Sequence, residues 1–166
     1  MSKHRRPLLT VEGLTTHLPT KEGVVHAVDG VSFEVRQGEI FSLLGPNGAG
    51  KTTTISILST LLRPDNGDAF ILGHSVSKAP MAAKESLGVV PQEIALYADL
   101  SDRENLSFWG KMYGLRGAAL KSRVDEVLKT IGLIDRQNDR VGKFSGGMKR
   151  RVNIAVALLH RPKVLF

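Results

Sequence analysis

The chain has 166 residues, of which 42% are hydrophobic and 23% are charged, a composition that predicts one globular domain with a buried core. No apolar run approaches the roughly 20 residues of a transmembrane helix, and the absence of cysteine excludes disulfides and thiolate metal sites. The net charge of +7 suits nucleotide, nucleic acid or an anionic membrane, but a solvated basic face fits equally well, and the few aromatic residues give little support to nucleic-acid binding.

The first 36 residues are predicted to form β structure. Residues 8–11, 24–28 and 31–35 are rich in β-branched and apolar side chains, and the last of these segments alternates apolar with polar residues. Asp29-Gly30 predicts a hairpin turn between two of the strands. We therefore expect an antiparallel β layer at the start of the chain.

A glycine-rich segment follows, with an apolar run at 40–44 that predicts a strand before it and residues 53–62 that predict a helix after it. Its spacing is G-x-x-x-x-G-K-[ST], the pattern of a phosphate-binding loop, and it consists of Gly45, Pro46, Asn47, Gly48, Ala49, Gly50, Lys51 and Thr52. Glycines let successive amides turn inward, and the helix directs its positive end at the same point. Lys51 can reach the β- and γ-phosphates, and the Thr52 hydroxyl can bind Mg²⁺. The alternative is an ordinary glycine turn before a helix.

The remaining chain alternates short β segments with helices. Residues 69–73 and 87–90 predict strands, and 81–85 predict a short helix. Ser101 and Glu104 have the spacing of a capping box, which starts a helical region. An apolar stripe predicts a packed helix there, formed by Leu120, Val124, Val127, Leu128 and Ile131. We predict a core made of 1–100 and 146–166, and a helical subdomain at 101–145.

A second candidate anion site lies at Ser145-Gly146-Gly147, where another helix is predicted to start. A hydroxyl, free amides and a helix N-terminus favour an anion. Alone, this segment also fits a simple turn. The phosphate-binding pattern upstream, and Gln92 after a strand between the two, favour the functional interpretation.

At this point the sequence resembles the nucleotide-binding subunit of ABC transporters over nearly its whole length. Residues 45–52 match the Walker A motif of that family, 91–92 match its Q-loop, and 144–148 match its signature motif. Phe144 and Met148 depart from the usual leucine and glutamine. The resemblance implies an α/β P-loop NTPase of ABC type, with a mixed core sheet, an N-terminal antiparallel β layer and a helical subdomain.

The resemblance also implies ATP and Mg²⁺ as cofactors and a homodimer that encloses ATP between its subunits. Nucleotide would bind residues 45–52 together with Thr53, and Mg²⁺ would bind Thr52 and Gln92. The signature residues that would contact the ATP of the partner subunit are Ser145, Gly146, Gly147 and Met148. The adenine-stacking position matches His17, with His26 as a second candidate, although a solvated histidine fits equally well.

The family places an aspartate and a glutamate just after the strand that matches 164–166, so these catalytic carboxylates are expected beyond Phe166. His160 and Asp139 have no motif context that would replace them. We expect a C-terminally truncated fragment that binds nucleotide weakly, hydrolyses it very slowly or not at all, and has marginal stability.

The region from 61–64 through 146–151 resembles subunits that drive ABC-2-type drug and multidrug exporters, whereas 23–30 is similar to peptide importers. Export is favoured, through a separate membrane permease on which the chain docks by 101–145. We expect a cytoplasmic protein bound peripherally to the inner face of the cell membrane. Two alternatives remain: a soluble ABC-type ATPase acting on nucleic acid or ribosomes, and an inactive, binding-only relic.

Overall fold

The computed structural model describes residues 6–21 and 23–166, so most of the basic segment that starts the chain lies outside the described residues. The chain divides into two compact units. The first contains the residues up to Leu87 together with Phe166, and the second is Gly88–Leu165.

The first unit is built on a four-stranded antiparallel sheet in the order β2-β1-β3-β4. The strands are β1 (Pro7–Thr20), β2 (Gly23–Arg36), β3 (Asn66–Ile71) and β4 (His74–Ser75). Alternating side chains of this sheet are buried because successive residues of a strand point to opposite faces: Leu9, Val11, Leu14, Ala69 and Ile71. The predicted antiparallel β layer is thus present, with longer strands than the sequence indicated.

The hairpin turn predicted at Asp29-Gly30 is wrong, because β2 runs without interruption through both residues. Thr16 pairs with Val28 and Leu14 pairs with Val31, so β2 carries one residue more than β1 between these pairs. Gly30 absorbs this bulge with a φ of 63° and donates its amide hydrogen to Thr15 Oγ1 at 3.2 Å. A long, continuous pairing partner therefore outweighs the local turn signal.

The strand predicted at 40–44 is also absent from the described residues. Ile40 is 99% exposed and Leu44 is 90% exposed, although both are apolar. A strand is stabilised by hydrogen bonds to a neighbouring strand, and no described strand pairs with this segment.

Two helices complete the first unit. Helix α1 (Lys51–Leu58) is shorter than predicted and ends before Leu61, which is exposed, and Thr60, which has a φ of 61°. Helix α2 (Pro80–Glu85) agrees with the predicted short helix.

The second unit contains three longer helices, α3 (Asp102–Met112), α4 (Gly117–Thr130) and α5 (Gly146–Leu158). Short 3₁₀ turns occur at Ile134–Arg136 and Val141–Lys143. The strands β5 (Leu87–Gly88) and β6 (Val164–Leu165) pair with each other. No helix among the described residues is long and apolar enough to cross a lipid bilayer.

One apolar core holds the three helices together. Its buried members include Leu106 from α3, the predicted α4 stripe, and Val152, Ala155 and Leu159 from α5 and its end. The stripe prediction is therefore confirmed in detail, because helical periodicity alone places those side chains on one face. This compact unit starts earlier and ends later than the predicted segment 101–145.

Candidate functional site

The glycine-rich segment 45–52, called here the phosphate loop, folds as a compact turn. The Ala49 amide donates to the Pro46 carbonyl at 3.2 Å, and Gly48 has a φ of 84°. A left-handed conformation such as that of Gly48 is accessible to glycine at little cost in free energy, so the loop can reverse direction over a few residues.

Gly50 fixes where the phosphate loop lies. It is the N-cap of α1 with a φ of 78°, and a Cβ atom placed on it would lie 2.0 Å from the Ala27 carbonyl oxygen of β2. No side chain fits there, so the loop rests directly on the backbone of β2. The strand thereby positions both the loop and the start of α1.

The N-terminus of α1 suits an anion. Its N-cap makes no side-chain hydrogen bond to the first-turn amides, and its first turn contains no acidic residue. The exposed amides and the helix dipole therefore leave positive potential at this end. The start of α1 is stabilised by a residue within the helix, because Thr54 Oγ1 donates a hydrogen bond to the Gly50 carbonyl at 2.9 Å.

Lys51 folds back over the phosphate loop. Its Nζ donates to the Gly45 carbonyl at 2.8 Å and to the Pro46 carbonyl at 2.7 Å. An ammonium group has three N–H donors, and these bonds use two of them. The charge is thus held above the loop where a phosphate oxygen could accept a hydrogen bond. The neighbouring Thr52 side chain is exposed, so its hydroxyl is accessible to a metal ion.

These features fit the triphosphate and metal of Mg-ATP. Amides, an uncapped helix start and a lysine supply donors for phosphate oxygens, and a hydroxyl is an oxygen ligand of the kind Mg²⁺ takes. Among the described residues, no group of three or more His, Asp or Glu side chains could hold a metal ion by itself.

The two histidines considered for adenine contact each other across β1 and β2. His17 Nε2 lies 3.2 Å from His26 Nδ1, and the rings meet edge to face with centroids 4.4 Å apart. Asp65 accepts hydrogen bonds from the His17 backbone amide at 2.7 Å and from His17 Nδ1 at 3.0 Å. The hydrogen bonds from His17 lower the pKa of Asp65. The sequence offers the two histidines as separate candidates, and no motif in it signals Asp65 as their partner.

The signature segment begins α5 in the second unit. Ser145 is the N-cap, and its Oγ accepts a hydrogen bond from the Met148 amide at 3.3 Å. Gly146 and Gly147 face open space, because a Cβ on either would meet nothing within 4 Å. Phe144 is buried, and the Arg136 guanidinium lies 5.7 Å from its ring centroid. A phenylalanine thus supplies the apolar anchor at the position where leucine is usual.

Gln92 lies in a segment without regular secondary structure, and its carbonyl accepts a hydrogen bond from Arg150 Nη1 at 3.2 Å. Arg150 and Asn153 of α5 both contact this segment. Neither contact could be predicted from the sequence, because only a general basic run signals Arg150 and no motif signals Asn153.

Each unit therefore brings together a different part of the predicted site. His17, His26 and the phosphate loop with Thr53 belong to the first unit. Gln92 and residues 144–148 belong to the second.

Comparison with known proteins gives one consistent family. A family model described as ABC transporter matches residues 28–166. The linearmycin resistance ATP-binding protein LnrL of Bacillus subtilis (strain 168) is 53% identical over 138 residues, which are 83% of this chain and 44% of that protein. The doxorubicin resistance ATP-binding protein DrrA of Mycobacterium tuberculosis (strain ATCC 25618 / H37Rv) is 46% identical over 145 residues, 87% of this chain and 44% of DrrA. The chain thus spans less than half the length of either relative.

Solved structures show the same fold. The structure of cbiO1 from Clostridium perfringens, part of the ABC transporter complex cbiONQ, has a TM-score of 0.83 at 30% identity and is covered over 64% of its length by 96% of this chain. The ATP-binding cassette MJ0796, a dimer bound to ADP and Pi, has a TM-score of 0.79 at 26% identity, with 95% of this chain and 72% of that chain covered. Both comparisons confirm the fold class that the motifs predicted.

Proposed function

Because the chain belongs to the ABC transporter family, we propose that it is part of an ATP-binding subunit whose phosphate loop binds Mg-ATP and thereby powers transport. One observation carries this proposal: Lys51 is held over a glycine loop that rests on β2 at Gly50. A lysine placed beside free amides is a strong donor set for a triphosphate.

The residues have separate roles in this proposal. The amides of the phosphate loop and Lys51 bind the phosphates, and Thr53 extends the nucleotide contacts into α1. Thr52 and Gln92 hold Mg²⁺, which neutralises phosphate charge when it is bound. His17, or His26 beside it, offers an imidazole face to adenine.

The signature residues act on a second nucleotide. In this proposal Ser145, Gly146, Gly147 and Met148 face the ATP held by a second copy of the subunit, so that two nucleotides are enclosed in a homodimer. The exposed glycines and the uncapped amides that they carry support this role, since a phosphate can approach the backbone closely there. None of these motif residues is a carboxylate that could orient an attacking water. The proposal therefore gives residues 1–166 nucleotide binding and assigns hydrolysis to the whole protein.

We propose export as the direction of transport. The names of LnrL and DrrA describe resistance to linearmycin and to doxorubicin, and extrusion of a toxic compound is a direct route to resistance. Nucleic acid is not required as a partner. The subunit would lie in the cytoplasm, attached peripherally to a membrane permease through which the compound passes.

The helical segment 101–145 is the proposed docking face for that permease. Phe108, Met112 and Tyr113 are exposed on α3 and at its end, and Met112 is 67% exposed. Exposed aromatic and methionine side chains suit an apolar partner surface.

Drug efflux from cells tests the proposal. The full-length protein would be expressed with its permease, and retention of doxorubicin would be followed by its fluorescence. We expect cells with the Lys51→Ala variant to retain drug like cells that lack the transporter. Cells with the control variant Lys84→Ala, which changes an exposed position of α2, should export drug like the wild type. Equal export by Lys51→Ala, or recovery of the protein on ribosomes and not on membranes, would contradict it.

A further inference from the structure

Helix α5 holds the main chain of the Gln92 segment by side-chain hydrogen bonds. Arg150 Nη1 donates to the Pro91 carbonyl at 2.5 Å and to the Gln92 carbonyl at 3.2 Å. Asn153 Nδ2 donates to the Pro91 carbonyl at 3.2 Å and to the Glu93 carbonyl at 3.4 Å. Three consecutive carbonyls of an irregular segment are therefore bound by one face of α5.

The two donors differ in their surroundings. Asn153 is 2% exposed, so its amide is a fixed part of the packed unit. Arg150 is exposed, and its guanidinium could instead be fully hydrated. Its bonds are charge-assisted, which makes each of them stronger than a bond between neutral groups. Asn153 thus anchors the segment, and Arg150 is the contact that can form or break without opening the core.

These bonds use the backbone of Gln92, not its side chain. The Gln92 side chain is exposed and remains available for a ligand while its main chain is held. The N-cap of the same helix is Ser145, about 7.5 Å before Arg150 along the axis at about 1.5 Å per residue. An unbroken helical turn therefore connects the cap of the signature segment to the segment that carries Gln92.

We propose that Arg150 is a positioning residue that sets the orientation of Gln92 toward the γ-phosphate and Mg²⁺ and couples it to Ser145. This inference rests on the proposed function, in which Gln92 and Ser145 serve nucleotides. While Arg150 is hydrogen-bonded to the Pro91 and Gln92 carbonyls, the main chain of Gln92 can move in only two ways. Either the start of α5 moves with it, or the two charge-assisted bonds break. Nucleotide at one site is thereby linked to the signature segment that serves the other.

The first test measures ATPase kinetics of the full-length protein with its permease. Arg150→Met removes the donors but keeps much of the aliphatic stem, Arg150→Lys restores one charged donor, and Lys149→Met removes the same charge one residue earlier. We expect Arg150→Met to lower kcat about tenfold, the order expected for loss of charged hydrogen bonds, with little change in KM. Arg150→Lys should recover part of kcat, and Lys149→Met should match the wild type.

A double-mutant cycle distinguishes positioning of Gln92 from a general structural role. If Arg150 acts through Gln92, Arg150→Met lowers kcat much less in a Gln92→Ala background than in the wild type, because the residue it positions is already gone. A merely structural contact would instead give additive losses and a lowered melting temperature in the Arg150→Met variant.

Three results would overturn the inference: additive effects in the cycle, an unchanged kcat in Arg150→Met, or an equal loss in Lys149→Met. Failure of the proposed function has a different signature. In that case Lys51→Ala keeps full ATPase activity and Gln92→Ala has no effect of its own, whatever Arg150→Met does.

Discussion

Single backbone positions decide whether the phosphate loop can form. Gly48 and Gly50 both have positive φ angles, but a Cβ on Gly48 meets nothing within 4 Å, whereas on Gly50 it would lie 2.0 Å from the Ala27 carbonyl oxygen. Gly48→Ala therefore carries conformational strain of about 1 kcal/mol, and Gly50→Ala adds a collision with the backbone of β2. Only the second substitution forces the loop away from the strand.

We predict that Gly50→Ala weakens ATP binding more than tenfold and lowers the melting temperature, while Gly48→Ala has a smaller effect on both. Nucleotide titration and thermal unfolding of the two variants check this. Equal losses in both would mean that contact with β2 does not set the loop conformation.

Asp102 is a buried ionisable residue whose surroundings make the stability of the fold depend on pH. It is 0% exposed, and neither carboxylate oxygen has a hydrogen-bond partner among the described residues. Burial raises the pKa of Asp102 from its usual 3.8 to about 7, against the opposing charge of Arg103. The folded state therefore binds the proton more tightly than the unfolded chain does. The free energy of unfolding then falls as pH rises from about 4 to about 7, by up to about 1.4 kcal/mol per pH unit.

We predict that Asp102→Asn removes much of this slope and is more stable than the wild type at pH 8. Urea unfolding at several pH values between 5 and 8 measures it, with exposed Asp99→Asn as the control. The idea fails if the wild type and Asp102→Asn show the same pH slope.

At the scale of elements, a capping box formed by Ser101 and Glu104 stabilises the start of α3, and a single substitution removes it. Ser101 Oγ accepts from the Glu104 amide at 3.2 Å, and Glu104 Oε2 accepts from the Ser101 amide at 2.8 Å. We predict that Ser101→Ala lowers the free energy of unfolding by about 1 kcal/mol, since a first-turn amide loses its partner. Chemical denaturation checks this value, and Ser122→Ala within α4 should show no loss of a cap. An unchanged stability in Ser101→Ala would indicate that packing alone holds the start of α3.

Elements determined by local patterns were predictable, and elements determined by distant partners were not. The α4 stripe and the α3 cap depend on residues within a few positions of each other, so periodicity and spacing identify them. The turn at Asp29-Gly30 was wrong because the pairing of β2 with β1 outweighs a local preference. The contact of Arg150 with Gln92 joins positions 58 residues apart, and no short-range pattern encodes such a contact.

At the scale of the whole molecule, the chain exposes apolar side chains that favour self-association. Ile40 and Leu44 are almost fully exposed, and β2 is a 14-residue edge strand of the sheet. An exposed edge and apolar surface together favour contact between copies of the chain. The apolar run at 40–44 predicts a strand, but no described strand pairs with it. Strand pairing is a property of the assembled sheet, so the local sequence does not reveal this.

We predict that an Ile40→Gln, Leu44→Gln double variant of the 166-residue chain self-associates less than the wild type. Its free energy of unfolding should change by less than about 0.5 kcal/mol, because the substituted side chains are already in water. Light scattering over a concentration series checks this, with Ser42→Gln as the control. Loss of folding in the double variant would show that these side chains are buried in solution.

The central claim is that the phosphate loop binds the triphosphate of ATP through Lys51. Calorimetric titration of the 166-residue chain with ATP and Mg²⁺ tests it most directly, with Lys51→Ala and Lys84→Ala measured in parallel. The account predicts saturable binding by the wild type and by Lys84→Ala, and binding weakened at least about tenfold in Lys51→Ala, since a charged donor to phosphate is removed. Binding of equal strength in Lys51→Ala, or no binding by the wild type, would contradict it.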